Sequence, residues 1–68
     1  MGRRNVRDVR RQELIEANMA CIAKHGISET TITHVSKAAG MSRGIINFYF
    51  TSKDQMMLDT LQSLADAY

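Results

Sequence analysis

Apolar residues recur at the spacing of a single helix face in the middle of the chain. The spacing i, i+3, i+4 and i+7 is held by Ile32, Val35, Ser36 and Ala39. It predicts an amphipathic helix over residues 32–39. Gly40 follows, and glycine enters a left-handed turn without a steric penalty. A second short helix is predicted over residues 43–50, with Ser42 as its N-cap. The pattern therefore predicts a helix-turn-helix, a unit whose second helix can lie in the DNA major groove.

Longer helices are predicted on both sides of this unit. The first spans about residues 9–25, with Asp8 as a plausible cap, and Gly26 is placed to end it. Either threonine of the following turn, at 30 or 31, is a possible cap for the second helix. The fourth begins at an S-x-x-Q capping box made by Ser52 and Gln55.

Both longer helices carry apolar rows that we expect to form a core. In the first helix the rows are Leu14, Ala17 and Cys21, and Ile15, Met19 and Ile22; in the fourth helix the stripe is Met57, Leu61, Leu64 and Tyr68. Stripes at this spacing are usually core. Cys21 is read as a small buried residue. The fourth helix has no stop signal, so we expect the sequence to be part of a longer protein.

The composition predicts an all-α domain. Proline is absent, only two Phe and two Tyr occur, and no alternating strand pattern is visible. A chain of 68 residues forms at most one small domain, which buries only about 60% of its unfolded surface. The predicted organisation is a basic flexible arm (1–8), a three-helix domain (9–51) and the start of a linking helix (52–68). No membrane span or secretory signal is expected.

Positive charge is concentrated in two segments. Residues 1–11 hold five arginines and one aspartate, and residues 30–53 hold Lys37, Arg43 and Lys53 with no acid. This distribution is typical of a protein that binds a polyanion. An ordinary solvated face with a disordered tail would show the same charges, and charge alone does not separate the two readings.

The third helix presents a distinct outward face when Ile46 is taken as its inward residue. At about 100° per residue, Gly44 and Phe48 point away from the core, and Ile45 and Asn47 flank them. The inward side holds Ser42, Arg43, Tyr49 and Phe50, of which Tyr49 and Phe50 are expected to be partly buried. Glycine is unfavourable inside a helix by about 1 kcal/mol relative to alanine. An outward Gly44 is explained if another surface approaches the backbone closely; an incidental weak position is the alternative.

Several residues of this region have the chemistry to contact DNA. Arg43 suits a forked contact with guanine or a phosphate, and Asn47 a bidentate contact with adenine. Lys53 lies at the N-terminus of the fourth helix, where the helix dipole favours anions. The enzyme reading has little support, because His25 and His34 lie in different elements without a third metal ligand. His25 is read as a helix-end residue and His34 as a surface residue; no cofactor is expected.

The chain resembles the N-terminal DNA-binding domain of TetR-type transcriptional repressors. The matching positions are the first helix ending at Gly26, then Thr31-Ile32, Val35-Ser36, Ala39-Gly40-Met41-Ser42, Gly44, Tyr49-Phe50 and Lys53. Within the family, the chain looks most similar to the choline-responsive repressors of glycine betaine synthesis. The resemblance implies a cytoplasmic homodimer that binds a palindromic double-stranded DNA operator. It also implies a larger C-terminal helical domain with the dimer interface and the pocket for a small-molecule inducer.

The resemblance also places the family's DNA contacts on this chain. They fall on Thr31, Thr33, Ser42, Arg43, Gly44, Ile45, Asn47, Phe48, Tyr49 and Lys53. We expect Arg43, Ile45, Asn47 and Phe48 to read base edges, while Thr31, Ser42, Tyr49 and Lys53 position the backbone and Arg3, Arg4 and Arg7 add non-specific affinity. Many members have tyrosine in place of Asn47, histidine in place of Tyr49 and alanine in place of Ser36. These departures leave the individual roles open.

A protein-interaction module is the alternative from a different functional class. In that reading, Ile45, Phe48 and the stripe of Met57, Leu61 and Leu64 form partner-binding surfaces. The basic N-terminus would then be a solubilising tail or would contact an anionic membrane.

Overall fold

The computed structural model describes residues 6–66 and shows four α-helices. Their bounds are α1 Val6–His25, α2 Ile32–Ala39, α3 Arg43–Tyr49 and α4 Lys53–Asp66. No strand occurs within this described segment, so the all-α prediction is confirmed. The predicted bounds of α2 are correct, and α3 ends one residue earlier than predicted, because Phe50 is its C-cap. None of these helices is long and apolar enough to cross a membrane.

The start of α1 differs from the prediction. Val6, Arg7 and Asp8 are helical, so the predicted flexible arm of residues 1–8 is wrong for its last three residues. Asp8 lies in the first turn of α1 instead of capping it. Arginine favours a helix, and an acid in the first turn interacts favourably with the helix dipole, which together support the earlier start. The rest of the predicted arm, including Arg3 and Arg4, lies outside the described residues.

The core lies where the four helices meet. Its buried apolar side chains are Leu14, Ile15, Cys21, Val35, Met41, Ile46, Phe50 and Met56. The burial of Cys21 confirms its reading as a core residue. Two of these side chains come from the short α3 and its C-cap, so α3 is held against α1 and α2 by Ile46 and Phe50.

The predicted core stripe of α4 is wrong. Leu61 and Leu64 are 47% and 40% exposed, and Met57 is only partly buried; Tyr68 lies outside the described residues. The buried face of α4 consists instead of Met56 and Thr60.

A polar pair between α1 and α4 explains this rotation. Asn18 is fully buried, and its Nδ2 donates to Thr60 Oγ1 at 2.9 Å and to the sulfur of Met57 at 3.5 Å. The hydroxyl of Thr60 donates in turn to the carbonyl oxygen of Met56 at 2.8 Å. A buried amide without a partner is unfavourable by about 1–3 kcal/mol. The face of α4 that carries Thr60 therefore packs on α1, and the leucines turn outward.

The start of α4 contains half of the predicted capping box. The backbone N–H of Gln55 donates to Ser52 Oγ at 3.1 Å, as predicted. The Gln55 side chain points along the helix instead, where its Nε2 donates to Asp59 Oδ1 at 3.0 Å. The Ser52 hydroxyl thus caps α4 without the reciprocal bond.

Candidate nucleic-acid interface

The turn between α2 and α3 has the geometry predicted for a helix-turn-helix. Gly40 adopts the left-handed conformation, with φ 67° and ψ 31°, and its N–H donates to the carbonyl oxygen of Ser36. The Met41 N–H reaches the same oxygen at 3.1 Å. The hydroxyl of Ser36 also donates to the carbonyl oxygen of Met41. Ser36 therefore closes the turn with both its carbonyl oxygen and its hydroxyl, and alanine could supply only the carbonyl.

The orientation of α3 agrees with the helical-wheel prediction. Ser42 caps the helix by accepting a hydrogen bond from the Ile45 N–H at 3.2 Å, and Ile46 is fully buried. The outward residues Gly44, Ile45, Asn47 and Phe48 are all exposed. Arg43 and Ser42 are exposed as well, although the wheel placed them toward the inward side. They lie at the very start of α3, where the helix extends beyond the core.

Aromatic side chains dominate the C-terminal end of this exposed face. Phe48 is 65% exposed, and its ring meets that of Tyr49 edge-on, with centroids 5.3 Å apart and an interplanar angle of 88°. The guanidinium of Arg7 lies over the Phe48 ring, 5.0 Å from its centroid. A groove of about 480 Å³ runs between the start of α1 and this end of α3, lined by Val6, Arg10, Gly40, Met41, Ile45, Phe48 and Tyr49.

The N-terminus of α2 has a reciprocal capping box. Thr31 Oγ1 accepts from the His34 N–H at 3.1 Å, and His34 Nδ1 accepts from the Thr31 N–H at 3.2 Å. Histidine thus takes the place that glutamate or glutamine has in the usual box. Thr31 and Thr33 are both exposed. The Thr31 hydroxyl proton remains free to be donated, because its oxygen serves as an acceptor in the box.

The two histidines form a stacked pair, which corrects the reading of His34 as a plain surface residue. The ring centroids of His25 and His34 are 3.9 Å apart, with an interplanar angle of 11°. Partial desolvation lowers the pKa of His25 below its usual value, and the nearby His34 and Lys24 lower it further. The stacked pair therefore joins the end of α1 to the cap of α2.

Acidification is expected to weaken the fold through this pair. Because the pKa of His25 is lower in the folded state, the unfolded chain binds more protons below pH about 6.5. Stability is then complete above that pH and decreases as the pH falls. Urea unfolding from pH 7 to 5.5 should show a decreasing free energy of unfolding.

Two variants separate the contributions of the histidines. His34→Gln keeps a side chain able to complete the capping box but removes a neighbour that lowers the pKa of His25, and His25→Gln removes the shifted imidazole itself. Both should show a shallower pH dependence than the wild type. Equal slopes in all three proteins would contradict a role for the stacked pair.

The three cations of residues 30–53 are available to an anionic partner. Lys37 and Arg43 are exposed, and Lys53 is partly buried as the first residue of α4. Within residues 6–66, the ion pairs of the structure involve Arg10 with Glu13 and Arg11 with Asp59. Lys37, Arg43 and Lys53 thus carry charge without a carboxylate partner in the described part of the chain, and Lys53 adds its charge to the positive end of a helix.

The structure exposes most of the predicted site residues. Thr31, Thr33, Ser42, Arg43, Gly44, Ile45, Asn47 and Phe48 are exposed, while Tyr49 and Lys53 are partly buried. Sequence reasoning missed three supporting residues: Ser36 in the turn, His34 in the cap, and Arg7 over Phe48. The T-x-x-H spacing was a usable sequence signal for the role of His34. No sequence signal indicated the contact of Arg7 with Phe48, because these residues are distant in sequence.

These features define a helix-turn-helix DNA-binding domain of a transcriptional regulator. Residues 14–60 match the family model of bacterial regulatory proteins, tetR family. The chain belongs to the TetR family, which confirms the resemblance drawn from its sequence.

Curated relatives carry consistent names. The chain is 39% identical over 64 residues to the HTH-type transcriptional regulator BetI of Yersinia pestis (strain Pestoides F), covering 94% of this chain and 32% of that protein. It is 41% identical over 56 residues to the HTH-type transcriptional regulator BetI 2 of Chromohalobacter salexigens, covering 82% and 27%. For BetI of Serratia proteamaculans (strain 568), identity is 34% over 64 residues, covering 94% and 32%. The chain spans about a third of the length of these relatives. No solved structure matches it.

Proposed function

We propose that this chain recognises a palindromic operator as part of a homodimeric repressor, with α3 in the major groove. The observation that carries the proposal is the two-sided character of α3. Ile46 anchors one side in the core, whereas Gly44 and Phe48 project from the other. This exposed side lies within a stretch of 24 residues (30–53) that contains cations and no acids, as a surface facing phosphates requires.

Base reading is assigned to four exposed side chains of α3. Arg43 lies at the start of the helix, where recognition helices meet base edges, and its guanidinium can fork onto guanine. Asn47 suits adenine, and the apolar Ile45 and Phe48 suit thymine methyl groups. Gly44 leaves the α3 backbone open on this face, so that DNA can come close to it.

Backbone positioning is assigned to residues around the recognition helix. The hydroxyls of Thr31, Thr33, Ser42 and Tyr49 would donate to phosphates, and Lys53 would bind a phosphate at the N-terminus of α4. Arg3 and Arg4 would add non-specific attraction.

The remaining parts of the proposal concern partners. Two copies would engage half-sites about one helical turn apart, dimerising through a C-terminal domain, and a small-molecule inducer would release them. The proposed setting is the bacterial cytoplasm, where DNA is present. The proposed function is binding, and no catalytic step is part of it.

Arg43 and Lys53 are expected to differ in what they control. Arg43→Ala should change the preference among sites at the contacted base pair by about 1–3 kcal/mol. Lys53→Ala should weaken binding to every sequence alike and reduce the log–log salt slope by about 0.9. Site selection from a random duplex library with the full-length protein, followed by salt titration, measures both effects.

Arg43→Lys is the matched control for base reading. Lysine keeps the charge for a phosphate but lacks the planar fork. If Arg43 forks onto guanine, Arg43→Lys should lose site preference as Arg43→Ala does. An unchanged site profile in both variants, or a complex insensitive to salt, would contradict the assignment.

A protein-interaction module is the second candidate, favoured by the exposed leucines of α4. Leu58, Leu61 and Leu64 form an uncovered apolar row on this helix. If partner binding were the function, gel-shift titration against random duplex DNA would show no complex even at low salt. The DNA-binding proposal expects a complex under those conditions.

A further inference from the structure

The most exposed aromatic side chain of the recognition helix is held by a residue of another helix. A phenyl ring that is 65% exposed has little packing of its own to select one rotamer. The Phe48 ring nevertheless has two neighbours: Tyr49 meets its edge, and the Arg7 guanidinium covers its face at 5.0 Å. Arg7 belongs to the first turns of α1, so the contact connects α1 to the outward face of α3.

The guanidinium of Arg7 has donors left for a further partner. Within the described part of the chain, Arg7 makes no ion pair, unlike Arg10 and Arg11. The N–H donors of a guanidinium lie at its edge, so those that point away from the ring are free to bind an anion. Arg7 itself is exposed. One side chain can therefore lie over Phe48 and bind a phosphate at the same time.

We propose that Arg7 is a positioning residue that sets the Phe48 ring for base recognition while it binds a backbone phosphate. The inference rests on the proposed function, because it assigns Phe48 to base edges. Arg7 then contributes to the choice among DNA sequences, whereas the basic arm predicted from the sequence would contribute only non-specific affinity for DNA. The preference of the protein for particular base pairs next to Phe48 then depends on a phosphate contact made from α1.

A double-mutant cycle tests this coupling in the full-length protein. Arg7→Gln, Phe48→Leu and the double variant are compared with the wild type by site selection and salt titration on duplex DNA. Arg7→Gln should reduce the salt slope by about 0.9. It should also reduce the preference at the base pairs under Phe48 about two- to fivefold, the size expected of an exposed cation–π contact. When Phe48→Leu is already present, Arg7→Gln should still reduce the salt slope but should no longer change the base-pair preference.

Arg10→Gln is the matched control. Arg10 lies on the same helix and lines the same groove, but its guanidinium pairs with Glu13 at 3.9 Å. Its loss should leave the base preference unchanged.

The outcomes distinguish this inference from the proposed function. If the wild type selects a site and Arg7→Gln weakens all sites equally, Arg7 is a phosphate anchor only and the inference is wrong, while the proposed function stands. The inference also fails if Arg7→Gln shifts the preference equally with and without Phe48. If the wild type selects no site, the proposed function itself fails.

Discussion

Gly44→Ala is expected to stabilise the folded domain by about 0.5–1 kcal/mol and to weaken operator binding by about tenfold or more. Gly44 lies inside α3 with an ordinary helical backbone, outside the positive-φ glycines. A β-carbon placed there would meet only Ser42 Oγ, at 3.8 Å. Nothing within the described protein therefore requires glycine at this position, and alanine improves the helix.

The loss of binding follows if DNA takes the open space beside Gly44. An added methyl group in a closely packed interface is unfavourable by about 1–3 kcal/mol, and 1.4 kcal/mol corresponds to a tenfold change in affinity. Urea denaturation and operator titration measure the two effects separately.

Gly40→Ala is the informative comparison for Gly44→Ala. Gly40 has a φ of +67°, where a side chain is strained by about 1–2 kcal/mol. This variant should lose stability, whereas Gly44→Ala gains it. Operator affinity at the wild-type level in Gly44→Ala would show that DNA does not approach this part of the backbone.

Phe50→Ala is expected to remove about 3–5 kcal/mol of stability. Phe50 is only 2% exposed and lies in the core, with the Arg11 guanidinium 5.5 Å from its ring centroid. A domain of this size has a total stability of roughly 0.05–0.15 kcal/mol per residue. For 68 residues this is about 3–10 kcal/mol, so the substitution removes a large part of the total. Thermal melting followed by circular dichroism should show a much lower melting temperature than in the wild type.

Phe48→Ala is the same substitution at an exposed position, and it is expected to affect DNA binding more than stability. Its ring is exposed, so the loss of stability should stay below about 1 kcal/mol, near the size of the lost cation–π contact. Operator binding should decrease while the melting curve stays close to that of the wild type. Equal destabilisation by the two alanine substitutions would contradict the observed difference in burial.

The helix-turn-helix could be predicted because its signals are local. The i, i+3, i+4 and i+7 spacing of α2, the glycine at 40 and the cap at Ser42 each depend on residues within one or two turns. The outward face of α3 followed from a single inward residue, Ile46. Such features need no knowledge of the other helices.

The buried face of α4 could not be predicted in this way. Hydropathy favoured Leu61 and Leu64, whereas the packing selected Thr60, because Asn18 of α1 needed a hydrogen-bond partner in the core. A polar pair that forms across 42 residues of sequence leaves no periodic signal in either helix.

The candidate site shows the same division. Its residues came from the family resemblance and the helical wheel. The wheel was right about the exposure of Gly44, Ile45, Asn47 and Phe48 but wrong about Ser42 and Arg43. The contacts that hold them, such as Arg7 on Phe48 and His25 on His34, join separate helices. They depend on how α1 packs against α2 and α3, which local patterns do not determine.

The Asn18–Thr60 hydrogen bond has a consequence for the direction of α4. A smooth apolar contact would tolerate rotation of a helix about its own axis. The hydrogen bond forms only at the one rotation of α4 that brings Thr60 to Asn18. Advancing α4 by one residue turns it by about 100° and would present Leu61 or Asp59 to the buried amide. Leu61 has no oxygen to accept the hydrogen bond, and Asp59 would bring a charge into the core. Asn18 Oδ1 already has no partner among residues 6–66, so a second loss would leave the whole amide unpaired. A single buried hydrogen bond therefore acts as the angular reference that fixes where the leucines of α4 point relative to the recognition helix.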